Sequence, residues 1–231
     1  MGLRQDGPEQ SGVRGNAELA AEVDRLHMAE SELRLTQDAV VERLSIAAEF
    51  RDDETARHVQ RMSRYTALLA RRAGATPDRA EQVRIAAVMH DVGKIGIPDS
   101  ILLKPGKLTP EERRIMEQHS EIGYRILSGS RSQLLTLAAQ IAWTHHERVD
   151  GNGYPRRLAG EDIPVEGRMA AIADVFDALT SNKVYKKASP LPQAIEIMRE
   201  GRGAHFDAEL LDLFLDSMDE VVLVKERYAD R

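Results

Sequence analysis

Five of the seven histidines in the chain stand at positions framed by apolar residues, where a helical fold would bury them, and three carboxylates share this setting. Imidazole nitrogens and carboxylate oxygens can bind transition metals without thiolates, and this chain has no cysteine. The candidate ligands are Glu54, His58, His90, Asp91, His119, His145, His146 and Asp174. They outnumber the ligands that one six-coordinate ion can use, so the sequence predicts at least two metal ions.

Some of these residues could also be explained without a metal. Glu54 and His58 stand four residues apart on a predicted helix and so share one face, where they could form an ordinary solvated pair. His119 follows Ile115 and Met116 inside another predicted helix and could be a core histidine with a hydrogen-bond partner. The combination of candidates, rather than any single one, favours a metal cluster.

Two carboxylates need a positive partner if the predicted helices bury them. Asp91 follows the apolar turns of VRIAAVMH, and Asp174 interrupts the apolar run MAAIADVFDAL. Burying a carboxylate without compensation is strongly unfavourable. A metal could supply the compensating charge, but so could Lys94 beside Asp91 or Arg168 near Asp174.

The elements that must position these residues are predicted to be helices. Apolar residues make up 42% of the 231 residues and aromatic residues only 4%, and the abundance of Ala, Leu, Ile and Val favours packed helices over sheets. We expect an all-α helical bundle, with a capping box at Thr109 and Glu112 and an N-cap at Asp207. Breakers and caps place the helices at about 53–73, 78–92, 110–127, 131–147, 167–182, 191–201 and 207–219.

The N-terminal part is predicted to differ from the rest. Residues 1–16 mix Gly, Pro and polar types, which predicts a disordered leader. Residues 17–50 predict one long helix, because an apolar residue recurs every seven positions. A coiled coil needs a second apolar position in each heptad, and Glu30 and Gln37 interrupt that second series. The helix could therefore either form a homodimer through a coiled coil or pack on its own domain. The apolar stripe consists of Leu19, Leu26, Leu33, Val40 and Ala47.

The charge and hydropathy of the chain exclude several kinds of partner. A formal net charge of −6 argues against broad binding to nucleic acid polymers or anionic membranes, which select basic surfaces. No apolar run approaches the roughly 18 residues of a membrane span, and the N-terminus lacks the apolar segment of a signal peptide. The sequence therefore predicts a cytoplasmic protein without a membrane partner.

The motifs taken together resemble a known family. HDVGK at 90–94, the pair Glu54 and His58, His119, HHERVDGNGYP at 145–155 and Asp174 are similar, in order and type, to the motifs of HD-GYP proteins, a branch of the HD superfamily of metal-dependent phosphohydrolases. The resemblance implies an all-helical catalytic domain at 51–222, followed by a C-terminal tail at 223–231. It also implies two or three divalent ions, usually iron or manganese, and hydrolysis of cyclic di-GMP to pGpG, GMP or both.

The resemblance implies a role for each candidate ligand. Asp91 would bridge two ions, and Glu54 matches the acid associated with a third ion. A hydroxide bridging the metals would attack phosphorus, because paired cations both lower the pKa of water and offset the charge of the phosphate. The other implied metal ligands are His58, His90, His119, His145, His146 and Asp174.

The resemblance also implies residues that contact the substrate. Lys94 matches a catalytic lysine beside the scissile phosphate, and Tyr154 matches the tyrosine of a Gly-Tyr-Pro lip. Lys183 and Lys186 align with basic residues that hold the phosphates of the ligand. His27 and His205 receive no role.

Two departures from the family pattern concern the substrate. Where the family often has Arg-Pro-Tyr, this chain has Lys183-Val184-Tyr185, which replaces a bidentate guanidinium by a point charge and removes a rigid proline. Val149 replaces the aromatic residue that commonly follows His-His-Glu-Arg, which could loosen the tyrosine loop. Every ligand position is kept.

The sequence leaves other functions open. The chain could be a non-catalytic receptor for a cyclic dinucleotide, or a phosphohydrolase acting on another nucleotide. The complete set of ligands favours an enzyme. The long N-terminal helix resembles a connector to a sensory or receiver domain, which implies such a domain upstream or acting in trans.

Overall fold

The computed structural model describes residues 8–49, 56–182 and 187–229. These ranges contain α-helices and short 3-10 turns but no β-strand, which confirms the all-α prediction. None of their helices combines the length and the apolar character needed to cross a bilayer. The α-helices of the described residues are α1 (Pro8–Glu49), α2 (Ala56–Arg72), α3 (Pro77–Ala87), α4 (Asp99–Leu102), α5 (Pro110–Glu117), α6 (His119–Leu127), α7 (Gln133–Thr144), α8 (Val165–Thr180), α9 (Leu191–Glu200), α10 (Ala208–Asp216) and α11 (Met218–Arg227).

The chain divides into two compact units, residues 1–40 and 41–231. The first consists of most of α1, which begins at Pro8 rather than near residue 17. Residues 8–16, predicted to be part of a disordered leader, are helical instead. Extending an existing helix costs far less free energy than starting one, and proline suits the first helical position. The predicted stripe is at least half exposed at Leu19, Leu26, Leu33 and Val40.

The core of the second unit lies between α2, α3, α7 and α8, and α10 and α11 also pack against α2. Tyr65, Phe176 and Phe214 are buried there and meet edge to face, with ring centroids 5.1–6.1 Å apart. α6 packs on α7 and on the 3-10 turn Val92–Gly96. These contacts fix the helices that carry the candidate ligands.

The helix predicted over 110–127 begins as expected but is divided in two. The Thr109 hydroxyl accepts from the Glu112 amide, and the Glu112 carboxylate accepts from the Thr109 amide, which confirms the capping box. The continuous helix is wrong, because α5 ends at Glu117 and α6 begins at His119. Between them the Gln118 amide bonds to a carbonyl only three residues back, which tightens the turn.

The last predicted helix, 207–219, is also divided. Asp207 caps α10 as predicted, since its carboxylate accepts from two amides of the first turn. At Ser217 the hydroxyl donates to the Leu213 carbonyl at 2.8 Å and so competes with the helical ladder. The helix α11 then runs to Arg227, into the predicted tail at 223–231, and Val224 within this segment packs against the core.

Candidate metal centre

Seven of the eight predicted ligands belong to the described residues, and they form two groups. Within each group, one ligand atom of every member lies within 4.8 Å of the others. Glu54 lies outside the described residues. The first group contains Asp91, His119, His145 and His146, and the second contains His58, His90 and Asp174.

The predicted ligands are carried mostly by helix ends and turns. His58 lies in the first turn of α2, and Asp174 lies inside α8. His90 and Asp91 follow α3, His119 begins α6, and the pair at 145–146 follows α7. Helix ends from several parts of the chain therefore converge on the predicted ligands.

Gly93 permits the closest approach between two of these segments. A Cβ atom at this position would lie 1.9 Å from the carbonyl oxygen of His119 and 2.4 Å from the Gly123 amide. The absence of a side chain lets the turn after α3 lie directly on α6. This contact brings Asp91 to His119.

Asp91 lies between the two groups. Its Oδ1 is 3.1 Å from His119 Nε2 and 3.4 Å from His145 Nε2, while its Oδ2 is 3.3 Å from His90 Nε2 and 2.8 Å from Lys94 Nζ. Burial raises the pKa of Asp91, but the charge of Lys94 is the largest of the opposing effects, which together hold the pKa well below its usual range. One charged carboxylate therefore faces both groups.

Three of the predicted ligand histidines are oriented by backbone carbonyls. Nδ1 lies 3.1 Å from the Ala87 oxygen in His90 and 2.7 Å from the Met116 oxygen in His119. In His145 it lies 3.1 Å from the carbonyl oxygens of residues 141 and 142. A carbonyl only accepts, so Nδ1 carries the proton and Nε2 presents its lone pair to the centre.

The buried atoms of the centre fit a cation. Within the described part of the chain, His90 Nε2, Asp91 Oδ1 and His145 Nε2 are buried without a hydrogen-bond partner. Such atoms are costly unless something compensates them, and a cation between them would do so. Burial, aided by the neighbouring imidazoles of His145 and His119, lowers the pKa of His146 well below its usual range, so that ring is neutral and able to coordinate. The nitrogen and oxygen donors suit iron, manganese or zinc.

Lys94 and Arg168 were the two side chains that could neutralise the buried carboxylates in place of a metal, and only one of them does so. Lys94 does pair with Asp91, at 2.8 Å. Arg168 donates to Asp207 rather than to Asp174, so it does not neutralise the acid on α8. Asp174 instead lies 3.5 Å from His58 Nε2.

The segment at 150–159, called the lip below, is bound to the turn that carries the histidine pair. The Glu147 carboxylate accepts from the Arg156 amide at 2.7 Å and from the Leu158 amide at 3.0 Å. The Tyr154 amide donates to the His146 carbonyl at 3.2 Å. Gly153 is required, because a Cβ atom there would lie 2.4 Å from a backbone nitrogen of this turn.

Tyr154 lies beside the first group. Its ring centroid is 4.7 Å from that of His146 and 6.2 Å from that of His119, and the peptide bond to Pro155 is cis. Burial and the charge of Asp91 raise its pKa, so the hydroxyl is protonated at neutral pH and able to donate. The side chain of Tyr154 is only partly buried.

A cavity of about 470 Å³ opens between the lip and α5. Tyr154 lines it together with Arg113, Arg114 and Arg157. Sequence reasoning did not single out these arginines, because basic residues on a polar helix face or in a polar loop are common and carry no motif. The other predicted substrate residues, Lys183 and Lys186, lie outside the described residues.

Asp177 was also missed. It is fully buried on α8, and its Oδ2 is 2.8 Å from Nδ1 of His58. The available signal was that it is a second carboxylate within the apolar run that contains Asp174.

Comparison with protein families identifies the fold. The family model described as "HD domain" matches residues 43–210, which is more than half of the chain. Among solved structures, a cyclic GMP-AMP specific phosphodiesterase of V. cholerae matches with a TM-score of 0.59 at 15% identity, over 81% of this chain and 50% of that one. The HD domain of L. monocytogenes PgpH in complex with cyclic-di-AMP matches with a TM-score of 0.56 at 16% identity, over 81% and 98%. These structures share the fold.

Relatives of known activity are closer in sequence. The chain is 46% identical over 191 residues to a cyclic di-GMP phosphodiesterase of Thermotoga maritima and 44% identical over 199 residues to a 3'3'-cGAMP-specific phosphodiesterase of Vibrio cholerae. The matches cover 83% and 86% of this chain but only 52% and 38% of those proteins. The response regulator RpfG of Xanthomonas campestris, a cyclic di-GMP phosphodiesterase, is 44% identical over 83% of this chain and 50% of its own length. Together with the ligand groups and the Gly-Tyr-Pro lip, these similarities show that the chain belongs to the HD domain family and to its HD-GYP branch.

Proposed function

We propose that the chain is a metal-dependent phosphodiesterase that hydrolyses cyclic di-GMP to pGpG, GMP or both. The observation that carries the proposal is the position of Asp91, whose two oxygens face two separate ligand groups next to the tyrosine of the lip. The activities named for the Thermotoga and Xanthomonas relatives support the same reaction class.

The ligands would hold two divalent ions, which would lower the pKa of a bound water and offset the negative charge of the phosphate. In the reaction the water oxygen forms a bond to phosphorus, the bond to one ribose oxygen breaks, and that oxygen takes up a proton. Lys94 lies beside the centre through its contact with Asp91, where its ammonium group can donate to a phosphate oxygen. Iron or manganese are the proposed ions, and Glu54 is the proposed ligand of a third.

Recognition of the substrate is proposed to depend on local groups. The Tyr154 hydroxyl can donate to the ligand at the edge of the metal centre, and Lys183 and Lys186 are the proposed partners of its phosphates. A chain with a net charge of −6 has no need of a generally basic surface if these groups and the bound cations act within one cavity.

A second candidate substrate is 3'3'-cGAMP. The observation in its favour is the 44% identity to the cGAMP-specific phosphodiesterase of Vibrio cholerae. The two dinucleotides differ in one base, and the cyclic phosphodiester ring is common to both. Discrimination must therefore come from residues that contact the bases.

Side-by-side hydrolysis tests the proposal. The protein is purified anaerobically, loaded with Fe²⁺ or Mn²⁺, and incubated separately with cyclic di-GMP and 3'3'-cGAMP, with products followed by chromatography. We expect cyclic di-GMP to be consumed faster and chelator-treated protein to be inactive. Faster loss of cGAMP would identify the second substrate, and binding without hydrolysis of either would identify a receptor.

A further inference from the structure

His58 is held in a different way from the other oriented ligand histidines. In His90, His119 and His145 the second ring nitrogen lies within hydrogen-bond distance of a carbonyl three or four residues earlier in the chain. In His58 that nitrogen lies 2.8 Å from the carboxylate of Asp177, which is 119 residues away in sequence. Its orientation therefore depends on a side chain of another helix.

Asp177 is itself held by a buried network. Arg61 donates through Nε to Oδ1 at 2.6 Å and through one terminal nitrogen to Oδ2 at 2.9 Å, a bidentate geometry that fixes the carboxylate plane. The Ser181 hydroxyl lies 3.2 Å from Oδ2. Arg61 is 2% exposed and Asp177 0% exposed, so water does not compete for these contacts.

The network is anchored at its far side as well. Arg61 also donates to the Ser181 hydroxyl at 2.9 Å and to the Tyr228 carbonyl at 2.9 Å, next to the end of α11. Three helices, α2, α8 and α11, therefore set the position of one carboxylate. A carboxylate fixed in this way can hold an imidazole in one orientation and in the tautomer that leaves Nε2 for a metal.

We propose that Asp177 is a positioning residue for the metal ion held by His58, His90 and Asp174, and that Arg61 acts by holding Asp177. This inference rests on the proposed function only in requiring a metal at the centre. Loss of Asp177 weakens the binding of the ion in this group. The ion of the other group keeps its ligands, because none of them contacts Asp177 and two of them, His119 and His145, are oriented by backbone carbonyls.

Two variants test the inference. Asp177→Asn keeps the volume and an oxygen acceptor but removes the charge. The double change Arg61→Met with Asp177→Leu removes the network without leaving a buried charge unpaired, which folded proteins commonly tolerate. Arg168→Met is the matched control, since it breaks a partly buried ion pair with Asp207 that does not involve a ligand.

The readout is Mn²⁺ binding, measured by chelator competition and by elemental analysis after gel filtration, with circular dichroism to compare the folds. We expect the double variant to bind one ion per chain roughly 10- to 100-fold more weakly, the range typical for loss of such partners, while its remaining ions bind as in the unchanged protein. Asp177→Asn should show the same selective loss to a smaller extent, and Arg168→Met should show none.

The inference would be overturned if a folded variant bound every ion as tightly as the unsubstituted protein does. It would also be overturned if the variant lost affinity equally at all sites. Asp177→Asn decides the matter if the double variant does not fold. If the protein without substitutions binds Mn²⁺ but cleaves no cyclic dinucleotide, the proposed function is refuted. The Mn²⁺ comparison between variants would still decide the role of Asp177.

Discussion

Three ligand histidines and His58 reach the same centre by different means. His90, His119 and His145 are oriented by carbonyls of their own chain segment, so forming the local turn also sets the ring. His58 is oriented by Asp177 of α8, so its ring is set only when two helices have packed. The first arrangement resists side-chain substitution, whereas the second can be altered by a single change, at Asp177, that replaces no predicted ligand.

Removing Asp91 should have the largest effect, because its carboxylate faces both groups. We expect Asp91→Ala to lower turnover by more than the roughly 100-fold upper range seen for groups that only support a ligand. Metal content should fall at both groups. Steady-state kinetics and elemental analysis measure this, with Asp162→Ala, an exposed acid, as the control. Near-normal turnover of Asp91→Ala would show that the groups act independently.

Removing Glu54 should test whether a further ion is bound near His58, which stands four residues further along the sequence. We expect Glu54→Ala to lower metal content by about one ion per chain and to weaken turnover, because Glu54 is the proposed ligand of a third ion. Elemental analysis against Glu161→Ala, an exposed control, measures the change. An unaltered metal content would count against a third ion.

Changing Glu147 should leave both ways of holding histidines intact and affect only the lip. Gln has one acceptor oxygen where Glu has two, so Glu147→Gln leaves an amide of residue 156 or 158 without its partner, at a cost of about 1–3 kcal/mol. Where that cost falls on substrate binding, KM rises roughly 5- to 150-fold. Kinetics with metal analysis test this, and a loss of metal would show that the lip also supports the ligands.

Substitutions on α1 should affect turnover least. We propose that its exposed stripe pairs with a second copy of the chain, because heptad spacing of apolar residues is the pattern of coiled coils. Leu26→Glu with Leu33→Glu should convert a dimer to a monomer in light scattering, with turnover little changed. Met28→Glu with Leu35→Glu is the control, since both residues are exposed but lie off the stripe. A mass that is the same for both variants would argue against pairing.

The sequence predicts those parts of the fold that local chemistry determines. Apolar periodicity and the caps at Thr109 and Asp207 place most helices within a few residues of where they occur. The breaks at Gln118 and Ser217 were not predicted, because each depends on one hydrogen bond within an otherwise regular helix pattern.

The same distinction holds for the site. The convergence of His90, Asp91 and the later histidines could be anticipated because short motifs mark them. The pairing of Arg61 with Asp177 spans 116 residues and leaves no local pattern, since an acid in an apolar run is equally consistent with several partners. Long-range side-chain pairs of this kind become visible only once helices are packed.

The attachment of the lip has a consequence for how ligands enter and leave. Two amides bound to Glu147 and a glycine pressed against the histidine turn join the loop to the scaffold, so it cannot swing as an independent flap. Access to the metals must then be governed by motion elsewhere or by diffusion through an entrance that stays open. Hydrogen exchange at the amides of Arg156 and Leu158 should accordingly be as slow as in α7, with or without nucleotide.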